Sequence, residues 1–243
     1  MTMNARALRS QTAAEVRMTL EQGERLLVTF LIPVAGLVLF SLVPIVATGT
    51  TSRVDFFAPS VLALAVVSTA MVNLGISTGF ERSWGVLKRL GSTPLDSSTL
   101  LAAKILAVLV VEAVQVVVLG AIAFGLGWHP HAGVPAAVGA ELLGTVAFAG
   151  IGFLLAGTLR AEVTLAVANG AYLVVLGISG IMFPLAKLGG AASVARLLPG
   201  AALADVLHPS LGTGGAVPVE AWIVLAVWAV VAPAVAAATF RFE

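Results

Sequence analysis

Apolar runs of about 20 residues recur along this chain, and that is the length a helix needs to cross roughly 30 Å of hydrocarbon. One reads LLVTFLIPVAGLVLFSLVPIVA from residue 26. Six stretches qualify, at 26 to 47, 58 to 79, 101 to 124, 136 to 158, 163 to 184 and 221 to 239. Composition agrees: 59% hydrophobic residues, 10% charged residues and a mean hydropathy of +1.06 leave too little charge for a water-facing surface, which uses about 25%. The expectation is an all-α integral membrane protein. The first run is too long for the roughly 7 to 15 apolar residues of a secretory signal, and three Glu precede it, so it is read as a retained span. The absence of Cys removes disulfides and Cys-based metal or redox chemistry.

Orientation follows from Lys and Arg on either side of an even number of spans. With both termini inside, the cytoplasmic side holds Arg6, Arg9, Arg17, Arg25, Arg82, Lys88, Arg89, Lys104, Arg160 and Arg241, and the outer side only Arg53, Lys187 and Arg196. Both termini are therefore expected in the cytoplasm. Ten Arg against three Lys, with abundant Ala, Val and Gly, fit a GC-rich bacterial genome and hence the bacterial plasma membrane.

The loop FERSWGVLKRLGSTPLDSSTLLAAK then falls in the cytosol, between the second and third runs. From Glu81 to Leu90 it reads as one short helix in which Trp84, Leu87 and Leu90 recur at three-residue spacing, with Arg82, Lys88 and Arg89 supplying charge. Gly91 stops it, Thr93-Pro94 imposes an extended step, and Asp96 or Ser97 caps the next helix. The elbow either rests on the headgroups or docks a cytoplasmic partner. Before the first run, Ala13, Val16 and Leu20 share a helical face, and Arg17, Glu21 and Arg25 form i,i+4 pairs on another. Residues 1–25 are read as an amphipathic helix along the inner leaflet, and 26–243 as the spanning domain.

Residues 185 to 220 are too long for a simple turn and too apolar for a linker. Phe183 and Pro184 at the entrance, then breaks at Gly189-Gly190 and Pro199-Gly200, suggest short helices folded back into the outer leaflet, as a gate or as an interfacial hairpin. Polar residues inside spans are candidates for a translocation path or for helix-to-helix contacts. They are Glu112 and Gln115 on the third run, a Thr69, Asn73, Ser77 stripe on the second, and Asn169 with Tyr172 on the fifth. Glu141, near the outer end of the fourth, reads as structural.

Glu81-Arg82, Gly85-Val86-Leu87, Leu90, Thr93-Pro94-Leu95 and Lys104, followed late in the chain by SGIMFPL and LLPGAALADVL, resemble the pattern of the type-2 ABC exporter permeases. Ser83 and Lys88 stand where that family often has acidic residues. The resemblance implies six spans, an N-terminal amphipathic helix, a cytoplasmic coupling helix and an extracellular re-entrant hairpin. It implies a coupling surface of Glu81, Arg82, Trp84, Leu87, Lys88, Leu90, Thr93 and Pro94, and an outer gate of Phe183, Pro184 and Pro199. It also implies two copies of a separate ATPase subunit, holding ATP and Mg, and a second permease chain. The expected task is export of an amphipathic drug, lipid or lipid-linked molecule.

Other chemistry finds little footing. There is no G-x-x-x-x-G-K-[ST] run and no Gly-Lys dipeptide, so no Walker A loop. GISTG at Gly75 to Gly79 matches G-x-S-x-G but lies in a span, without the strand-turn-helix context of a nucleophile elbow. His129 and His131 lack a third ligand nearby, so no metal site, no enzymatic activity of the chain alone and no nucleic-acid partner are expected. The competing class is an ion-coupled secondary transporter or channel, which calls for inverted repeats and acidic residues at midplane; only Glu112 is central. The predicted topology has a direct test. Epitope tags at Met1 and Glu243 should bind antibody only after permeabilisation, and labelling of intact cells overturns the orientation.

Overall fold

The computed structural model describes residues 5–21, 23–44, 52–91, 96–131 and 133–239, within which every regular element is helical. α1 (Ala5–Glu21) and α2 (Gly23–Leu42) precede α3 (Arg53–Ser83), a continuous helix with a π-helical stretch at Val67–Asn73. A short α4 (Val86–Gly91) leads to α5 (Ser97–Gly125), α6 (Val134–Thr158) and α7 (Ala161–Ile178). α8 (Lys187–Ala195) and α9 (Pro199–Gly212) meet at a 110° bend, and α10 (Val219–Thr239) ends the described chain.

α3, α5, α6, α7 and α10 are long and apolar enough to cross a membrane, and the bent α8–α9 pair raises the number to six if it forms one span. The first expected span corresponds to α2, which ends at Leu42 and whose apolar stretch Thr29–Leu42 is shorter than a full crossing. α3 begins at Arg53, before the expected 58, because Arg53 and Asp55 lower local hydropathy without stopping a helix. α7 stops at Ile178 because Gly180 takes φ +78°, a left-handed conformation that a helix cannot continue through. α5 starts on Asp96, as expected, whose carboxylate accepts the Ser98 and Thr99 hydroxyls. Those two bonds, Ser98 first, hold Asp96 below the usual carboxylate range.

α6 is the hub, packed on α10, α3, α9 and α7. Lipid is as apolar as a side chain, so helices in a membrane associate by close packing and not by hydrophobic exclusion. Glycine supplies the closeness. Gly150 lies against Ala232 and Pro233 of α10, and Gly152 against the backbone of Ala70 and Met71, facing Gly75. A Cβ at Gly152 would sit 2.9 Å from the Met71 carbonyl oxygen, inside van der Waals contact.

α1 is held differently. It packs on α5 through a polar stripe: Glu15 is buried and Gln11, Thr12 and Thr19 are half-buried, while Ala13 and Leu20 face outward. The cause is Lys104, only 3% exposed, whose ammonium lies 3.0 Å from Glu15 Oε2 and 2.8 Å from Glu81 Oε2. A buried ammonium needs paired acceptors, and Glu15 reaches it only if α1 turns that face inward. The expected Arg17–Glu21 pair forms on the outer side at 2.7 Å.

The glycine contacts predict a packing penalty. Gly152→Leu should force α6 and α3 apart, at about 1 to 3 kcal/mol or more, and lower the midpoint of thermal unfolding in detergent. Gly170→Leu, where a side chain meets nothing within 4 Å, should leave that midpoint unchanged.

Candidate functional site

The two halves of the Glu81-Arg82 pair turn in different directions at the end of α3. Glu81 accepts from Lys104 of α5. Arg82 donates to the carbonyls of Ala156 (2.8 Å), Gly157 and Leu159 (3.0 Å). The last carbonyls of a helix have no partners within it and carry the negative end of its dipole, so one guanidinium both caps and neutralises the end of α6. Lys104, Glu81 and Arg82 thus lock α1, α3, α5 and α6 together at one end of the bundle.

Beyond Ser83 the backbone breaks. Gly85 has φ +70°, and its N–H bonds back to the Arg82 carbonyl at 3.0 Å. The single helix expected from Glu81 to Leu90 is therefore two: the last turn of α3, then α4. Three-residue spacing presupposes one continuous helix, so the expected shared face of Trp84, Leu87 and Leu90 does not form. Trp84 is 63% exposed, Leu87 is fully buried in this chain's own core and Leu90 is half-buried. Lys88 and Arg89 are exposed, and Arg89 reaches the Trp84 carbonyl at 3.4 Å. Thr93 and Pro94 lie outside the described residues.

Above the elbow, α1, α2, α3 and α5 enclose a cavity of about 700 Å³, a volume typical of small-molecule sites. Glu15, Glu81 and Lys104 stand at one end with Phe80 and Trp84, whose ring centroids are 5.5 Å apart. Thr69, Asn73 and Ser77, the polar stripe of α3, run along one wall, with Leu74, Ile76, Val108 and Val111 elsewhere. At the far end Asn73 Nδ2 donates to Thr29 Oγ1 at 3.1 Å, and Thr69 donates to Gln115 Oε1 at 3.1 Å. Gln115 Nε2 in turn donates to the Thr29 carbonyl at 3.2 Å. The π-helical stretch of α3 carries Thr69 and Asn73, and such local widening re-aims side chains within a helix. A smaller cavity of about 180 Å³, reaching Asn169 and Tyr172, shares Thr29 and Asn73 with the first.

Of the four predicted path residues, Asn73 lines both cavities and Asn169 the smaller one. Gln115 and Glu112 line neither. Gln115 is a buried tie between α2, α3 and α5, whereas Glu112 accepts the Thr145 hydroxyl between α5 and α6. Glu15, Thr29 and Phe80 were not singled out from the sequence. Lys104 was the available signal for Glu15, since an ammonium inside an apolar helix requires carboxylates from elsewhere. At the other end of the bundle, Phe183 is exposed, Pro184 half-buried and Pro199 buried at the start of α9. The Trp228 indole N–H donates to the Leu197 carbonyl at 2.9 Å across the α8–α9 bend.

No curated protein matches the sequence closely enough to serve as a relative. A family model described as ABC-2 family transporter protein matches residues 13–238, a range that takes in the second half of α1, the elbow and the cavity and that ends in the last turn of α10. The chain belongs to the ABC-2 family of transporter proteins, as a membrane-spanning permease of an ABC transporter.

Proposed function

We propose that this permease moves an amphipathic drug, lipid or lipid-linked substrate out of a bacterial cell, driven by ATP hydrolysis on a separate subunit. The carrying observation is the cavity of about 700 Å³ that begins at the elbow and runs to the Thr29–Asn73 contact. Its wall is largely apolar, with hydroxyls and amides along one side, and such a surface suits a molecule with one polar end. α3 joins cavity and elbow in a single helix, so a push at one is felt at the other. In this reading both termini and the elbow are cytoplasmic, two ATPase copies bind ATP and Mg, and a second permease completes the path.

The elbow couples through its outward residues. Trp84, Lys88 and Arg89 form the surface offered to the ATPase, while Glu81 and Arg82 stiffen α3 so that a displacement of α4 reaches the cavity wall. α1 lies against the inner leaflet with Ala13 and Leu20 in lipid. The bent α8–α9 segment, with Phe183, Pro184 and Pro199, forms a re-entrant outer gate. A permease that couples to ATP must hold two conformations to which the ATPase binds differently.

Leu87 is a poor place to test this, because a charge there would damage the chain's own core. Lys88→Glu reverses an exposed charge at the elbow. It should insert normally but lose co-purification with its ATPase subunit, or lose at least about tenfold of substrate-stimulated ATP hydrolysis, as expected when like charges meet in a contact. His129→Glu, exposed at the opposite end of α5, should behave as wild type. Equal behaviour of the two variants, or transport with no ATPase present, removes the ATP-driven reading in favour of an ion-coupled carrier or channel.

A further inference from the structure

We infer that the cavity selects organic cations, so that the exported molecule is amphipathic with a positively charged amine or onium group. This rests on the reading of the chain as a permease and adds to it the charge of what the permease carries.

The inference starts from an imbalance. Lys104 would be neutralised by one carboxylate, yet two close on it, Glu15 at 3.0 Å and Glu81 at 2.8 Å. One formal negative charge is left over. Among the described residues no other charged side chain lines the cavity; Arg82, the nearest cation in sequence, keeps its charge but directs it at the carbonyls at the end of α6 and is not part of the lining. The cavity also meets the acids before the ammonium. Side-chain exposure is 24% for Glu81 and 10% for Glu15, but 3% for Lys104, so an occupant faces carboxylate oxygens with the positive charge behind them.

The surroundings of Glu81 point the same way. Phe80 and Trp84, one residue before it and three after, line the same end of the cavity, with ring planes tilted by 40°. Aromatic faces attract cations through their quadrupole, most strongly where water is excluded. A carboxylate at the same end of the cavity as two aromatic rings offers a diffuse cation both charge and a ring face, and offers an anion repulsion from each. The apolar wall beyond, with Leu74, Ile76 and Val108, receives the hydrophobic part of the molecule. A metal ion is disfavoured because the Lys104 ammonium already bridges both carboxylates, and it would have to displace that ammonium.

The full chain in nanodiscs, with empty nanodiscs subtracted, provides the test. Tetraphenylphosphonium and tetraphenylborate have nearly the same size and shape and opposite charge. The wild type should bind the phosphonium at least about tenfold more tightly than the borate, whose binding remains measurable. Glu81→Gln should weaken phosphonium binding by at least about tenfold, since even at roughly 12 Å and an effective dielectric of about 20 one charge has that effect, and a closer approach has more. Asn73→Asp adds a carboxylate to the wall while leaving Lys104 and both its partners in place, and should tighten phosphonium binding by a similar factor. The borate should respond in the opposite sense to each change. A variant that had merely lost its fold would lose both probes together. The inference is overturned if wild type binds the borate as well as the phosphonium, or if both variants shift the two probes in the same direction. Co-purification with the ATPase reports separately on the permease reading. A chain that pairs with its ATPase yet binds the borate refutes the charge selectivity alone.

Discussion

A lysine ammonium buried at one end of a membrane helix constrains more of this molecule than any other single group. Lys104 cannot remain in an apolar bundle without partners, because the desolvation of a lone charge costs several kcal/mol. Its two partners come from elements far apart in sequence, Glu15 on α1 and Glu81 at the end of α3. That requirement turns the polar stripe of α1 inward and fixes the end of α3 beside α5. Arg82 extends the lock to α6 by capping its last carbonyls. Four helices are thereby tied at the end where the chain bends into α4, and the cavity opens beside that tie, between α1, α2, α3 and α5.

The remainder of the bundle is held by contact instead of charge. Gly150 and Gly152 bring α6 against α10 and the π-helical stretch of α3, so the hub of the fold is made of backbone surfaces that fit closely. The two modes divide the molecule. Close glycine packing makes α3, α6 and α10 a stiff unit, while the cavity lies between elements joined by ion pairs and a few amide and hydroxyl bonds. Polar contacts can be exchanged for others during a conformational change, whereas an interdigitated backbone contact has to be broken outright.

The elbow shows how a motif can be legible in the sequence while the exposure of its residues is not. Glu81 and Arg82 carry much of the family pattern, yet both side chains are engaged within the chain. The exposed surface belongs to Trp84, Lys88 and Arg89. Leu87 was expected on that surface because spacing alone cannot report Gly85, whose left-handed backbone resets the helical phase between Trp84 and Val86.

Membrane residence, helical class and most of the spans were legible in the sequence, because lipid permits so few backbone solutions that a long apolar run has essentially one. The absence of a Walker A run could be read directly, since a phosphate cradle needs a specific local motif. Only the tertiary structure decided which polar residues meet. The stripe of Thr69, Asn73 and Ser77 could be seen along α3, but not that it faces a cavity. Gln115 and Glu112 looked like its equals, yet they are buried in contacts between helices. Glu15 could not be found by local reading, since its partner is 89 residues away and periodicity describes a helix's own faces without saying what they will touch. Spans follow from the solvent acting on each segment separately, whereas a site follows from the order in which segments are brought together.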